Sequence, residues 1–493
     1  MFIIQLNLAK YEYDIHSIVK AFYADKNIKV ITPETDEAKA AELLQDTAAL
    51  KGSIVYEENQ VILCISEKEY VWRWKEELSE EAEAFSSEYK DGFKGFLYQS
   101  LCAYTGKTLP WGNMTGIRPT KIAMSMLIEG KSQEEIQAYY QKKHYVSEEK
   151  ALLSIDIAER EKKLLSTLHY EDGYSLYIGI PFCPTTCLYC SFTSYPIAAH
   201  RNRVEQYIDC LIKEMDYVCE VYKDKILDTV YIGGGTPTTL EADQLDRLIT
   251  ALKEHFDFNT VQEFTVEAGR ADSITREKLE VLYKHGVDRI SVNPQTMNQK
   301  TLDIIGRRHT VEQVVEAYKM AREIGFTNIN MDLILGLPGE DVEEVNYTIE
   351  EVKKLNPDSL TVHSLAIKRA SKLAQWIQTH DISCINNTDE TMEIAVDGAK
   401  AMNMLPYYLY RQKNMSGNFE NVGYAREGKF GIYNILIMEE LQTIVALGAG
   451  SITKKVYPDG RIERCDNIKE VAIYIEKIDE MIERKRKLFE DEE

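Results

Sequence analysis

The chain has 493 residues, 44% of them hydrophobic and 28% charged, enough for two or three domains with substantial cores. A formal net charge of −22 argues against a nucleic-acid backbone as partner, since that partner needs a basic surface. Nine scattered cysteines, an N-terminus with no basic region before a long apolar core, and no apolar run near the roughly 20 residues that span a bilayer predict a reduced, cytoplasmic protein.

Residues 1–85 read as an N-terminal α+β domain, with strands at 1–8 and 53–66, the latter turning near 57–59, and helices at 16–23 and 37–44. Residues 86–168 read as a mainly helical region. It is interrupted by the loop Leu109-Pro110-Trp111-Gly112-Asn113-Met114-Thr115-Gly116-Ile117-Arg118-Pro119-Thr120-Lys121, where two prolines and two glycines fix the backbone. The charged stretch 159–163 reads as a link to the next domain.

Residues 169–374 alternate strand and helix. Strands are predicted at 176–180, 229–232, 264–267, 289–293, 328–335 and 359–365, and amphipathic helices at 204–221, 241–254, 275–285, 311–324 and 342–355. Six such units imply a parallel sheet with right-handed crossovers, either doubly wound or an incomplete barrel. The polar residues Cys183, Gly233 to Thr236, Glu267, Asn293, Gln295, Asp332 and His363 fall within or just after successive strands. Function gathered at strand C-termini is what a (β/α) barrel shows, and open sheets share the tendency, so either form of α/β fold stays open on this ground. Residues 375–493 read as a C-terminal mixed α/β, substrate-side region. It has a helix at 388–402, a tyrosine-rich segment at 407–415, a glycine-spaced stretch ending at Gly450 and Ser451, and a charged helical tail at 473–489 expected to be solvated.

The most specific feature is Ile180-Pro181-Phe182-Cys183-Pro184-Thr185-Thr186-Cys187-Leu188-Tyr189-Cys190, a C-x3-C-x2-C loop following a buried strand. A four-iron cluster normally takes four cysteines. Three thiolates leave one iron with an open position, where chemistry rather than electron storage takes place. The other cysteines, Cys64, Cys102, Cys210, Cys219, Cys384 and Cys465, read as single reduced thiols.

One strand later, Gly233-Gly234-Gly235-Thr236-Pro237-Thr238 lets backbone approach a ligand with no Cβ in the way. Glu267 sits where a strand-end carboxylate can meet an ammonium or a ribose hydroxyl. Asp332 is an acid inside an apolar strand, costly to bury unless hydrogen-bonded. Gln295 and Arg307, with Arg308 and His309 beside it, are weaker ligand candidates.

Together the cysteine loop, the Gly-Gly-Gly-Thr-Pro-Thr turn, Ile305-Gly306-Arg307-Arg308-His309-Thr310 and Asp332-Leu333-Ile334-Leu335-Gly336-Leu337-Pro338-Gly339 resemble the radical S-adenosylmethionine (SAM) superfamily, within it the oxygen-independent coproporphyrinogen III oxidase group. The N-terminal domain and the Trp-Gly-Asn-Met-Thr-Gly loop resemble its HemZ-type branch. The resemblance tips the fold toward an α/β partial (β/α)6 barrel and implies a [4Fe-4S] cluster on Cys183, Cys187 and Cys190, with SAM bound at the open iron as the source of a hydrogen-abstracting radical. Carried across by motif, Tyr177, Gly234 and Glu267 match contacts to the cluster-bound SAM. Tyr189, Gly235, Thr236, Gln295, Arg307, Asp332 and Ala366 match positions described for a second SAM, although an equivalent Asp or Gln serves the single SAM in other superfamily members.

The implied reaction is oxidative decarboxylation of coproporphyrinogen III propionates to vinyls, giving protoporphyrinogen IX. No side-chain catalyst is required beyond the radical source, and the implied electron donor is of the reduced flavodoxin or ferredoxin type. Arg118, Arg270, Arg307 and Arg411 are candidate cations for the propionates. One departure keeps alternatives open. Where the oxidase proper has a further cysteine two residues after the third ligand, this chain has Phe192, as the haem-chaperone branch does. A haem-binding and delivery protein, with His363, His309 or Met114 as haem ligand, and a radical SAM enzyme acting on haem itself are the rivals.

Overall fold

The computed structural model describes all residues except 24–25, 80, 117, 170–171, 369–370, 378, 381–384, 412–418 and 491–493. Ile117, Cys384 and positions 412–415 of the tyrosine-rich segment therefore lie outside the described residues. The chain divides into two compact units, Met1–Asp156 with Arg411–Glu420, and Ile157–Tyr410 with Asn421–Glu493.

In the first unit, strands β1 (Phe2–Leu6), β2 (Ile28–Ile31), β3 (Leu50–Tyr56), β4 (Val61–Ile65) and β5 (Lys68–Trp72) form one sheet in the order β2-β1-β3-β4-β5. Pairing is parallel across the first three strands and antiparallel across the last three. Alternate apolar residues such as Val61, Leu63 and Ile65 turn to one face. There they join Ile15, Val19, Phe93 and Leu97 from helices Glu12–Phe22 and Ser87–Thr105 in a single core. The strand read at 53–66 is the β3–β4 hairpin, while β2 and β5 carry too short or too polar a pattern to read. The Trp111 loop has a structural explanation. The buried indole Nε1 donates to Glu420 Oε2 at 2.7 Å, and Lys150 pairs with Glu420 Oε1 at 2.8 Å. Gly112 has φ 53°, and a Cβ there would lie 1.8 Å from the His144 carbonyl oxygen, so the position requires glycine.

The second unit is built on an 11-stranded sheet. Its strands are β6 (Gly173–Ile180), β9 (Ile226–Gly234), β10 (Glu263–Gly269), β11 (Arg289–Val292), β12 (Ile329–Leu335), β13 (Ser359–Ser364), β14 (Leu405–Tyr410), β15 (Asn421–Ala425), β16 (Thr443–Leu447), β17 (Ile452–Val456) and β18 (Ile462–Asp466). Two short strands, β7 (Phe182–Cys183) and β8 (Tyr195–Pro196), pair separately around the cysteine loop. The order is β14-β15-β13-β12-β11-β10-β9-β6-β16-β17-β18. Strands β6 and β9 to β13 are parallel neighbours in strict chain order. A doubly wound sheet would reverse direction at a switch point. This one does not, and winds as a (β/α) barrel does. Strand β13 pairs antiparallel with β15, and β16 extends the other side, so the six-unit barrel is partial.

Period-2 alternation gives this sheet two unlike faces. One carries Leu176, Ile178, Val230, Ile232, Val266, Ile290, Met331 and Val362, all buried. The other is polar on every central strand, and the registers Tyr177↔Tyr231, Thr265↔Arg289, Ser291↔Asn330 and Asp332↔Thr361 align it into one continuous surface.

The charged stretch 159–163 lies inside the helix Glu148–Leu165, just past the division between the two units. One expectation is corrected. The tail is not a solvated helix. Helices Val471–Glu476 and Ile478–Glu490 turn Tyr474, Met481 and Lys485 fully inward. Lys485 Nζ meets Glu214 Oε1 at 2.6 Å, and Glu214 also accepts from Asn467, Tyr474 and the Gly448 N–H. A lysine on the inward face reads as polar surface in sequence because its partner is some 270 residues away.

Candidate active site

The cysteine loop begins one residue past β6, at the end of the sheet where β9 to β13 also finish. Cys183 and Cys187 are buried and Cys190 is half-buried. Two backbone bonds clamp the glycine turn after β9 onto the approach to this loop. Gly235 N–H donates to Ile180 O at 2.8 Å, and Thr236 N–H to Phe182 O at 2.7 Å. A Cβ on Gly235 would stand 2.5 Å from Phe182 O and 2.9 Å from Ile180 O, so glycine is what permits this approach. Thr236 Oγ1 lies 3.5 Å from Cys183 Sγ. Further along the turn, the carbonyls of Thr236, Pro237 and Thr238 accept from Thr239, Leu240 and Lys278.

On the polar face, Tyr231 donates through its hydroxyl to Glu267 Oε1 at 2.5 Å, and the Gly234 N–H also reaches this carboxylate. Burial pushes the Glu267 carboxyl up to about 7, Tyr231 and Gly234 pull it down, and the charge of Asp332 adds to the rise. Tyr433 stacks on Tyr231 with ring centroids 4.3 Å apart, and Tyr177 stacks 6.2 Å from both. Asp332 accepts from Asn330 Nδ2 at 2.7 Å, and its N–H donates to Asn293 Oδ1 at 3.2 Å. Gln295 has φ 68°, a left-handed conformation unusual for a side chain of this kind. Its backbone bonds to Asp332 O and Ile334 N hold it there. Ala366 stands two residues beyond β13, half-buried, and offers a methyl group and its backbone.

Arg307 is buried. Its Nη1 donates to Asn293 O at 2.5 Å, and it reaches both Tyr189 and Cys187. Arg270 is likewise occupied with the cysteine loop. Arg411, in the first unit, donates to Met114 O at 2.7 Å with its guanidinium over Trp111. These three candidate propionate cations are thus engaged within the fold. His309 is 1% exposed and 3.8 Å from Asp272, which removes it as an open haem ligand. Arg308 is exposed. His363 lies on the polar face with Nδ1 3.2 Å from the Tyr410 hydroxyl.

The residues fit the groups implied. Among the described residues no three His, Cys, Asp or Glu side chains converge as ligands of one metal ion. A four-iron cluster meets its thiolates at separate corners. Burial pushes the Cys183 thiol up to about 11 and raises that of Cys190 too. Gln295 Oε1, Arg307 Nε and Ser291 Oγ are also buried, with no hydrogen-bond partner among the described residues. Unsatisfied buried polar atoms are rare in folded proteins and call for a ligand or an ordered water. Tyr231 and Tyr433 were not singled out from sequence. Tyr231 was accessible to it, since it lies two residues before Gly233 and so shares its face.

Residues 177–352 match the Radical SAM superfamily. The chain is 43% identical over 413 residues to the oxygen-independent coproporphyrinogen-III oxidase-like protein HemZ of Bacillus subtilis, covering 81% of this chain and 82% of that one. It is 39% identical over 194 residues to the heme chaperone HemW of Lactococcus lactis, covering 39% of this chain and about half (49%) of that one. In fold it matches coproporphyrinogen III oxidase (HemN) from Escherichia coli with a TM-score of 0.52 and 23% identity, over 68% of this chain and 73% of that one.

Proposed function

Because the chain belongs to the HemZ-type branch of the radical SAM superfamily and is a radical SAM oxidoreductase of haem metabolism, we propose that it oxidatively decarboxylates coproporphyrinogen III propionates to vinyl groups without oxygen. Each propionate that is converted loses a hydrogen from its β-carbon, then carbon dioxide and one electron, the electron passing to an external one-electron acceptor. When bound, the cluster and SAM supply abstraction of hydrogen from an unactivated carbon. Cys183, Cys187 and Cys190 would hold the cluster, with Thr236 packed against the first of them.

Glu267 would take a cationic or hydroxyl donor of SAM while Tyr231 fixes its orientation. The carbonyls of Gly234 and Gly235 would accept from the same molecule. Asp332, held by Asn330 and Asn293, with Gln295, Arg307, Tyr189 and Ala366, would form either the far wall of this site or contacts to a second SAM. The stacked rings of Tyr177, Tyr231 and Tyr433 keep water from that side. Departure of carbon dioxide needs no side-chain base. A flavodoxin- or ferredoxin-type protein would deliver the electron.

The observation that carries this reading is the meeting, at one end of one sheet, of three buried or half-buried thiols with unpaired polar atoms, in a chain resembling HemZ along four-fifths of both lengths. Phe192, 72% exposed, favours haem delivery as the second reading, for it stands where the oxidase has its extra cysteine. Anaerobic incubation with SAM, reductant and coproporphyrinogen III, followed by product mass analysis, separates the two. Masses lower by one and two units of HCOOH support decarboxylation. Unchanged porphyrinogen together with tight haem binding supports delivery.

A further inference from the structure

Arg270 follows β10 by one residue and is 3% exposed. Its guanidinium makes a two-sided fork. Nε and Nη2 donate to the two carboxylate oxygens of Asp272 at 3.0 and 2.6 Å. On the other side Nη1 donates to Thr185 O at 2.9 Å and Thr185 Oγ1 at 2.7 Å, and lies 3.7 Å from Cys187 Sγ. Thr185 stands between the first two cysteines, and its own hydroxyl donates to Gly306 O. Asp272 thus aims one edge of a buried cation at a cysteine sulfur. Lysine, a point charge, could not make both sides of this fork.

We propose that Arg270 is a positioning residue that sets the reduction potential of the cluster held by Cys183, Cys187 and Cys190, a role that rests on the assignment of that cluster. Reduction adds one electron and breaks no bond, and part of the added charge falls on the cysteine sulfurs. A cation donating to one of those sulfurs stabilises the reduced state more than the oxidised one, and hydrogen bonds to sulfur are among the determinants of cluster potential. Burial keeps the interaction from being screened. Asp272 offsets part of the effect from the far side of the guanidinium.

The two residues therefore act with opposite sign. In full-length, anaerobically reconstituted protein without SAM, a dithionite titration followed by electron paramagnetic resonance reads the potential directly. Arg270→Gln is expected to lower the equilibrium constant for reduction about tenfold, a shift of about 59 mV to more negative potential for one electron. Asp272→Asn is expected to shift it the other way. A merely structural role predicts no such opposition. Unchanged potentials in both variants, or shifts of the same sign, overturn the proposal. If Arg270→Gln takes up no iron, Asp272→Asn decides alone: a positive shift supports the role, and no shift or a negative one refutes it. Failure of the unmodified chain to assemble a cluster would instead refute the cluster assignment.

Discussion

Glu267 offers a quantitative handle on the SAM site. Its carboxyl is buried, hydrogen-bonded by Tyr231 and Gly234, and lifted to about 7 chiefly by burial. If ionised Glu267 receives a donor of SAM, binding requires the deprotonated form. With a value of about 7, roughly one-eleventh of the unliganded protein is ionised at pH 6 and about ten-elevenths at pH 8, so affinity should rise about tenfold across that span. SAM's own amino group also titrates nearby, and the Glu267→Gln variant carries the same ligand titration without the protein one. The ratio of the two affinities, measured by anaerobic equilibrium dialysis on reconstituted protein, isolates Glu267.

The same group gives a stability test in the protein without SAM. Its folded-state value lies above that of an exposed carboxylate, so the folded chain binds more protons than the unfolded chain between about pH 4.5 and 7. Stability contributed by this group is present at the acid end and lost as pH rises through 7. Glu267→Gln should therefore stabilise the unliganded protein at pH 8, by at most about 3 kcal/mol, and be nearly neutral near pH 4.5. An affinity ratio that stays flat from pH 6 to pH 8 would refute the placement of SAM against this carboxylate.

Other expectations follow from the cysteines and the tail. Changing Cys183, Cys187 or Cys190 to Ala should abolish an iron content near four per chain, whereas Cys210→Ala, whose thiol donates to Ile475 O in the helical tail, should not. Iron retained in Cys187→Ala would defeat the assignment. Lys485→Met leaves Glu214 buried without its cation and should cost about 3–5 kcal/mol in denaturant unfolding. A loss below 1 kcal/mol would mean the tail is dispensable to the fold.

The barrel was legible because its strands alternate cleanly. Helices read at 204–221, 311–324 and 342–355 coincide with Val204–Val221, Val311–Ile324 and Val342–Leu355, each with an apolar stripe of period 3.6. The cysteine loop was legible because its spacing is its chemistry. What stayed hidden depends on distant partners. Lys485 and Glu214 each look like surface residues until folding brings them together. Arg270 looked like a free cation because its hold on Thr185 and Cys187 spans more than 80 residues. Tyr433 meets Tyr231 across some 200 residues of chain. In the first unit, the four-residue β2 has too few positions for a period to emerge.

The most direct measurement of the proposed reaction is isotope transfer from substrate. The reduced protein is incubated anaerobically with SAM and coproporphyrinogen III deuterated at the propionate β-carbons, and the 5′-deoxyadenosine formed is analysed by mass. The predicted result is deuterium in the deoxyadenosine, with carbon dioxide released alongside and deoxyadenosine formation rising when substrate is added. Deoxyadenosine that carries no deuterium and forms at the same slow rate without substrate, in protein that binds haem with a Soret band, would contradict the assignment and favour haem delivery.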